Sequence, residues 1–172
     1  IPNTLPEDIY EKILARLESK GIRVVVDATK DLLLNVLKYH PFLIKPNNHE
    51  LGEMFGTVCK TDEDIVHYAK KLQEKGAVNV LISMAGDGAI LITEDGQNIK
   101  MGTPKGKVVN SVGAGDSMVA GFCYAIEKGM NETDLLRHAV ACATGSLLHP
   151  GTQLCEKEDM EAMLSRVRIV EV

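Results

Sequence analysis

Apolar residues recur at helical spacing near the start of the chain. In residues 7–20, EDIYEKILARLESK, Ile9, Ile13, Leu14 and Leu17 share one face with charges opposite, and Gly21 ends the run. IRVVVD at 22–27 changes the pattern to a short, nearly continuous β-branched run, as expected of a strand buried on both faces of a parallel sheet. A helix over 30–38, a strand within PFLIKPN at 41–47 and a helix opened by NHELGEMFG follow. TDEDIVHYAKKLQEKG at 61–76 predicts a longer helix, acidic early and basic late as the helix dipole favours. VNVLIS at 78–83 reads as another buried strand, and 88–102 as a hairpin turning at Asp95-Gly96. Helices are expected over 116–129, 132–148 and 156–167. Strands alternating with helices imply a layered α/β domain with a largely parallel sheet, whose ligand groups gather at the carboxyl ends of the strands.

Composition narrows the function classes. The 172 residues are 45% hydrophobic and 25% charged, enough for one substantial core, and neither repeats nor linker-like stretches suggest a second domain. A net charge of -5 argues against a broad surface for nucleic acid or anionic lipid, so any anion site must be local. No stretch approaches the roughly 18 apolar residues of a membrane span, and no signal peptide opens the sequence, so a cytoplasmic protein is expected. The four cysteines lack metal-ligand spacing and read as reduced core thiols. The first residue is Ile1 rather than Met, so the sequence reads as a piece of a longer chain.

Four polar strand ends carry candidate chemistry. In VNSVGAGDSM, Gly113, Ala114 and Gly115 can bring backbone amides close to an anion at a helix start, and Asp116 is either a general base or a helix cap. In KPNNHE, Lys45 can compensate phosphate charge, Asn47 can order oxygens, and Glu50 can hold Mg2+ through its waters; the same Asn-x-x-Glu spacing also describes a capping box. His49 reads as a solvated residue. In SMAGDGA, Ser83, Gly86 and Gly88 can let a nucleotide lie against the backbone, or merely form a tight connection. Asp27 can support a metal or cap the next helix. In one parallel sheet these ends would open on one edge. GTPKGKV fails as a P-loop, having three residues between its glycines and Val108 where Ser or Thr is required.

The ordered set KPNNHE, SMAGDGA and VNSVGAGDSMVAGF, with HPGTQLC after it, resembles the PfkB (ribokinase-like) carbohydrate kinases along the whole chain, most of all their bacterial 1-phosphofructokinase branch. The resemblance implies a ribokinase-like α/β/α fold, truncated at its N-terminus, and transfer of the ATP γ-phosphate to fructose 1-phosphate. It casts Asp116 as base and Gly113, Ala114 and Gly115 as anion hole. Lys45 and Asn47 would meet ATP phosphates, and Glu50 and Asp27 would organise Mg2+. Ser83, Gly86 and Gly88 would line the nucleotide, with Val140 and Thr144 near adenine. A monovalent cation such as K+ would sit around Asn110, Val112, Ser146, Gly151 and Gln153. The partners implied are a sugar phosphate and ATP, with a homodimer for the full-length protein; nucleic acid and membrane are not expected. Ala85 stands where many family members have Gly. The family's sugar-binding half and lid have no counterpart here, and IPNTLP resembles the continuation of a family segment. A nucleotide-binding fragment without activity, a tagatose-6-phosphate kinase and a nucleoside kinase are the competing readings.

Overall fold

The computed structural model describes residues 6–106, 108–151 and 153–171. Most of the IPNTLP segment, residues 1–5, lies outside the described residues, as do Lys107, Thr152 and Val172. The chain divides into two compact units, Ile1–Ile82 with Ile92–Gln97, and Ser83–Leu91 with Asn98–Val172.

The first unit holds α1 (Ile9–Leu17), β1 (Val25–Val26), α2 (Lys30–Leu34), a 3-10 turn at Leu37–Tyr39, β2 (Leu43–Ile44), α3 (Asn48–Met54), α4 (Asp62–Glu74) and nearly all of β3 (Asn79–Ser83). β1 runs parallel to β2, pairing Val25 with Leu43 and Val26 with Ile44, and β2 runs parallel to β3. Leu33, Leu43, Ile44, Leu51, Leu72 and Leu81 have no exposed surface and form the core, whereas on the apolar face expected of α1 only Leu14 is buried and Ile13 is exposed. The helix expected over 30–38 breaks after Leu34 into the 3-10 turn, which ends at His40 with φ +50° ahead of Pro41. α4 starts on a reciprocal cap: Thr61 Oγ1 accepts from the Asp64 amide at 3.2 Å and Asp64 Oδ2 from the Thr61 amide at 3.1 Å. A further bond from the Lys60 amide, the largest influence, helps hold the Asp64 carboxyl below its ordinary range.

The second unit holds most of β4 (Ala89–Ile92), then β5 (Asn98–Gly102), α5 (Ala114–Glu127), α6 (Glu132–Ser146), α7 (Lys157–Leu164) and β6 (Arg168–Val170). α6 is packed by α5, α7 and β5. Glycine permits the approach of α5: a Cβ on Gly121 would stand 2.5 Å from the His138 carbonyl oxygen of α6. Two expectations change. The helix expected from 116 begins at Ala114, and β6, which no apolar run announced, pairs antiparallel with β5. All three β6 residues are exposed, so the strand is held by its ladder and carries no burial pattern. In the first unit the strand order is β1-β2-β3, and in the second β6 lies beside β5. The thiols are free as expected, although Cys123 is exposed and Cys155 half-buried rather than core. Among the described residues no helix is long and apolar enough to cross a membrane.

Candidate functional site

In the first unit the parallel register places Asp27 and Lys45 one step beyond their paired strands. Lys45 Nζ lies 3.1 Å from Asp27 Oδ2. Lys45 is 6% exposed, so a desolvated ammonium is held by a carboxylate that keeps about a third of its surface in solvent. Two strand ends singled out separately in the sequence are thus one ion pair. The signal that could have joined them was the parallel pairing itself.

Two residues after Lys45, Asn47 caps α3. Asn47 Oδ1 accepts from the amides of His49 and Glu50 at 2.9 and 2.8 Å, and Glu50 Oε2 accepts from the Asn47 amide at 2.8 Å. The Asn-x-x-Glu element is therefore a complete capping box. A carboxylate has more lone pairs than one amide uses, so Glu50 Oε1 retains accepting capacity for the water shell of a divalent cation. His49 is exposed.

In the second unit the turn after β3 is a 3-10 element, Ala85–Asp87, closed by the Met84 amide on the Gly88 carbonyl at 2.8 Å. Its two glycines serve different ends. Gly88 has φ +96°, and a Cβ there would stand 1.8 Å from the Met101 carbonyl oxygen, so strand packing demands glycine. A Cβ on Gly86 would meet nothing within 4 Å, which leaves its face open to a ligand. Ala85 has φ +49°, a left-handed conformation that favours glycine, and Thr103 Oγ1 donates to its carbonyl at 2.9 Å. Ser83 closes β3 and is half-buried.

The Gly-rich turn before α5 is sharper than its sequence suggested. Gly113 is the N-cap with φ +82°, which leaves α5 without a side-chain cap and makes Asp116 the third helical residue. The Ala114 amide donates to the Ser111 carbonyl at 3.3 Å and the Ser117 amide to the Gly113 carbonyl at 2.9 Å. Between them, the Gly115 and Asp116 amides have no hydrogen-bond partner among the described residues. Of the three amides in the expected anion hole, those of Gly113 and Gly115 have no hydrogen-bond partner among the described residues, and the Ala114 amide is taken by Ser111. The Asp116 carboxylate is exposed and, among the described residues, nothing hydrogen-bonds or pairs with it. Next to it, the Ser117 hydroxyl is buried and finds no partner among the described residues, a feature that no pattern in the sequence marked.

The remaining candidates divide. Val140 and Thr144 are buried in α6 at 1% and 5% exposure, and the Thr144 hydroxyl donates to the Val140 carbonyl at 2.7 Å, so the two are adjacent and packed. Asn110 joins two of the cation candidates: its amide nitrogen donates to the Gly151 carbonyl, and its Oδ1 accepts from the Val112 amide at 3.2 Å. Ser146 is buried with its hydroxyl on the Ala143 carbonyl at 2.8 Å, whereas Gln153 turns to Glu156 at 3.1 Å. Among the described residues no group of three or more His, Cys, Asp or Glu is arranged to hold a metal ion.

Comparison with known proteins gives a consistent picture. Residues 1–159 match the pfkB family of carbohydrate kinases. The chain is 45% identical over 169 residues to a 1-phosphofructokinase of Bacillus subtilis, covering 98% of the chain and 55% of the relative. It is 35% identical to a D-tagatose-1-phosphate kinase of Bacillus licheniformis, again with 98% and 55% coverage. A Staphylococcus aureus crystal structure, provisionally assigned as a phosphofructokinase, superposes with a TM-score of 0.92 at 40% identity, over 99% of this chain and 55% of that one. Phosphofructokinase-2 of Escherichia coli in complex with potassium superposes at 0.86 with 25% identity, over 94% and 52%. The chain spans about half the length of the curated relatives it matches.

Proposed function

The chain belongs to the pfkB family of carbohydrate kinases, and from that premise we propose that it is the C-terminal, nucleotide-side portion of a ribokinase-like domain that transfers the ATP γ-phosphoryl group to fructose 1-phosphate. The observation that carries this reading is Asp116: an exposed carboxylate without a partner among the described residues, one position from the open Gly115 amide and carrying an open amide itself. Phosphoryl transfer needs positioning and charge stabilisation more than covalent chemistry. Backbone amides at a positive helix end stabilise phosphoryl charge, and a free carboxylate there takes the sugar hydroxyl proton as transfer proceeds.

In the first unit, the second oxygens of Glu50 and Asp27 would face the water shell of Mg2+, which supplies charge neutralisation when bound with ATP. Buried Lys45 acts on this reading chiefly by fixing Asp27. Asn47 holds Glu50 in place, and its own amide hydrogens remain for a phosphate. Gly86, with its open face, and Ser83 serve the nucleotide in the second unit, where the Asn110–Gly151 segment is the proposed K+ position. The potassium complex of the Escherichia coli neighbour supports that last role. The sugar-side residues, and the contact surface of a homodimer, are assigned to the part of the relatives' length that this chain does not span.

The test is Asp116→Asn in a chain extended to the length of its relatives. Turnover of fructose 1-phosphate with Mg-ATP should fall about 10²–10⁴-fold, the usual worth of a general base, while the Kd for Mg-ATP holds. Undiminished turnover removes Asp116 from the chemistry. A panel including tagatose 6-phosphate and tagatose 1-phosphate decides the substrate, a choice made pertinent by the Bacillus licheniformis relative. A second reading, a nucleotide-binding fragment without turnover, is favoured for the 172 residues by the half-length match. Calorimetry with Mg-ATP beside a coupled kinase assay on the same sample separates the two.

A further inference from the structure

α6 and the segment leading into α7 gather reactive side chains that the proposed function does not use. Cys142 and Gly145 lie three residues apart and so share one face of α6. A Cβ on Gly145 would meet Cys155 Sγ at 2.6 Å, which sets Cys155 directly over the turn that carries Cys142. The Cys155 thiol donates to the Glu156 carbonyl at 3.2 Å, and each of the two thiols shifts the other's ionisation. Beside them His149 Nε2 lies 2.6 Å from Asp159 Oδ2, and the Glu156 amide donates to the same oxygen at 3.2 Å. Cys142 is 8% exposed, and Cys155 is half-buried.

We propose that Cys142 and Cys155 are an oxidation site at which hydrogen peroxide closes an intramolecular disulfide, tying α6 to the segment before α7. The neighbouring Cys155 side chain holds the Cys142 thiol below its ordinary range, while Cys142 and burial push Cys155 up, so Cys142 supplies the thiolate. Its sulfur attacks one peroxide oxygen; the S–O bond forms, the O–O bond breaks, and hydroxide leaves to become water on taking a proton. Cys155 then attacks the sulfenic sulfur: the S–S bond forms, the S–O bond breaks, and the departing hydroxide takes the Cys155 proton as water. Two thiols are oxidised and one peroxide is reduced to two waters. The small size of peroxide suits a nearly buried thiol, and the charge of protonated His149 favours ionisation of Cys155 in the second step.

The bond would be felt at the start of α5. The Val109 amide donates to the Leu147 carbonyl at 2.8 Å, Asn110 donates to the Gly151 carbonyl, and Leu154 Cδ2 would lie 3.3 Å from a Cβ on Gly113. This coupling, unlike the disulfide, rests on the proposed nucleotide site.

The test treats the 172-residue chain with hydrogen peroxide and reads intact mass, thiol count in denaturant and cross-linked peptides. The expected product is lighter by two hydrogens, shows two of its four thiols, joins the peptides of Cys142 and Cys155, and reverts with dithiothreitol. A Cys59→Ser/Cys123→Ser variant should still lose two thiols, whereas Cys155→Ser should leave Cys142 as a sulfenic acid trapped by dimedone. Four surviving thiols, or oxidation only at Cys59 or Cys123, overturn the proposal. Mg-ATP affinity should weaken several-fold in the cross-linked chain and return on reduction. Unchanged affinity overturns the coupling, and binding by neither form counts against the kinase reading while leaving the disulfide intact.

Discussion

Gly121→Ala sets two opposed effects against each other at the α5–α6 contact. In an exposed helix the change gains about 1 kcal/mol from helix propensity. At this position the new methyl would stand 2.5 Å from the His138 carbonyl oxygen, 2.8 Å from Cys142 Sγ and 2.9 Å from Cys142 Cβ. Favourable carbon contacts lie near 3.5–4.0 Å, so all three are repulsive. The first is backbone of a helix whose Leu136, Ala139 and Ala141 have no exposed surface, so it cannot yield by a rotamer change. Overpacking costs about 1–3 kcal/mol, and rigid backbone places this site at the upper end. Subtracting the propensity gain leaves about 2 kcal/mol of net destabilisation. For a chain of this size that corresponds to a fall in Tm of about 4–8 °C. Far-UV circular dichroism during heating, with urea midpoints as a check, measures it. Ala120→Gly, at the exposed preceding position, supplies the propensity term alone and should cost about 1 kcal/mol. A Gly121→Ala protein as stable as the parent, or more so, would refute the close-packing argument.

Asp27→Asn should destabilise by about 1–3 kcal/mol in urea denaturation, because it leaves the buried Lys45 ammonium without its anion; Asp27→Asn/Lys45→Met should recover most of the loss, and an additive double variant would show the pair to be idle. Ala85→Gly releases a left-handed strain of about 1–2 kcal/mol against an unfolded-state gain in freedom of about 0.4–1 kcal/mol, so the urea midpoint should rise; a fall would show that Ala85 is unstrained. The hydrogen bond to Asp159 raises His149 above the ordinary 6.5, so its stabilisation is fully present below that pH and is lost as pH rises through the raised value. The Tm gap between the parent and His149→Gln should therefore close on going from slightly acid to alkaline buffer, and a gap independent of pH would sink the assignment.

Much of the architecture was legible because it is written in local periodicity. Leu43, Ile44, Leu81 and Ile82 lie in apolar runs of strand length, and the Asp62–Glu74 helix carries its acids and its apolar stripe in thirteen consecutive residues, with its cap, Thr61, directly before them. The order KPNNHE, SMAGDGA and GAGD was enough to reach the family, since it rests on residue identity and spacing. What escaped has no local signature. β6 lies exposed at Arg168–Val170 and is a strand only because β5 supplies a partner. The start of α5 moved to Ala114 because Gly113 can adopt φ +82°, a freedom that all glycines offer and few use.

The sequence by itself determined which residue types stand at the polar strand ends and the alternation that stacks helices on a sheet, because both are properties of neighbours along the chain. Only the tertiary structure decided how they are employed. It joined Asp27 to Lys45 through parallel register, closed Asn47 and Glu50 into a cap, gave Gly88 to strand packing while leaving Gly86 open, and set Cys155 over the turn of Cys142. Such assignments depend on what stands across a ladder or a helix contact, from positions distant in sequence. Asp116 shows the division most plainly: its carboxylate was visible in GAGD from the outset, but only the tertiary structure shows it exposed at the third position of α5, beside an open amide and without a cap bond.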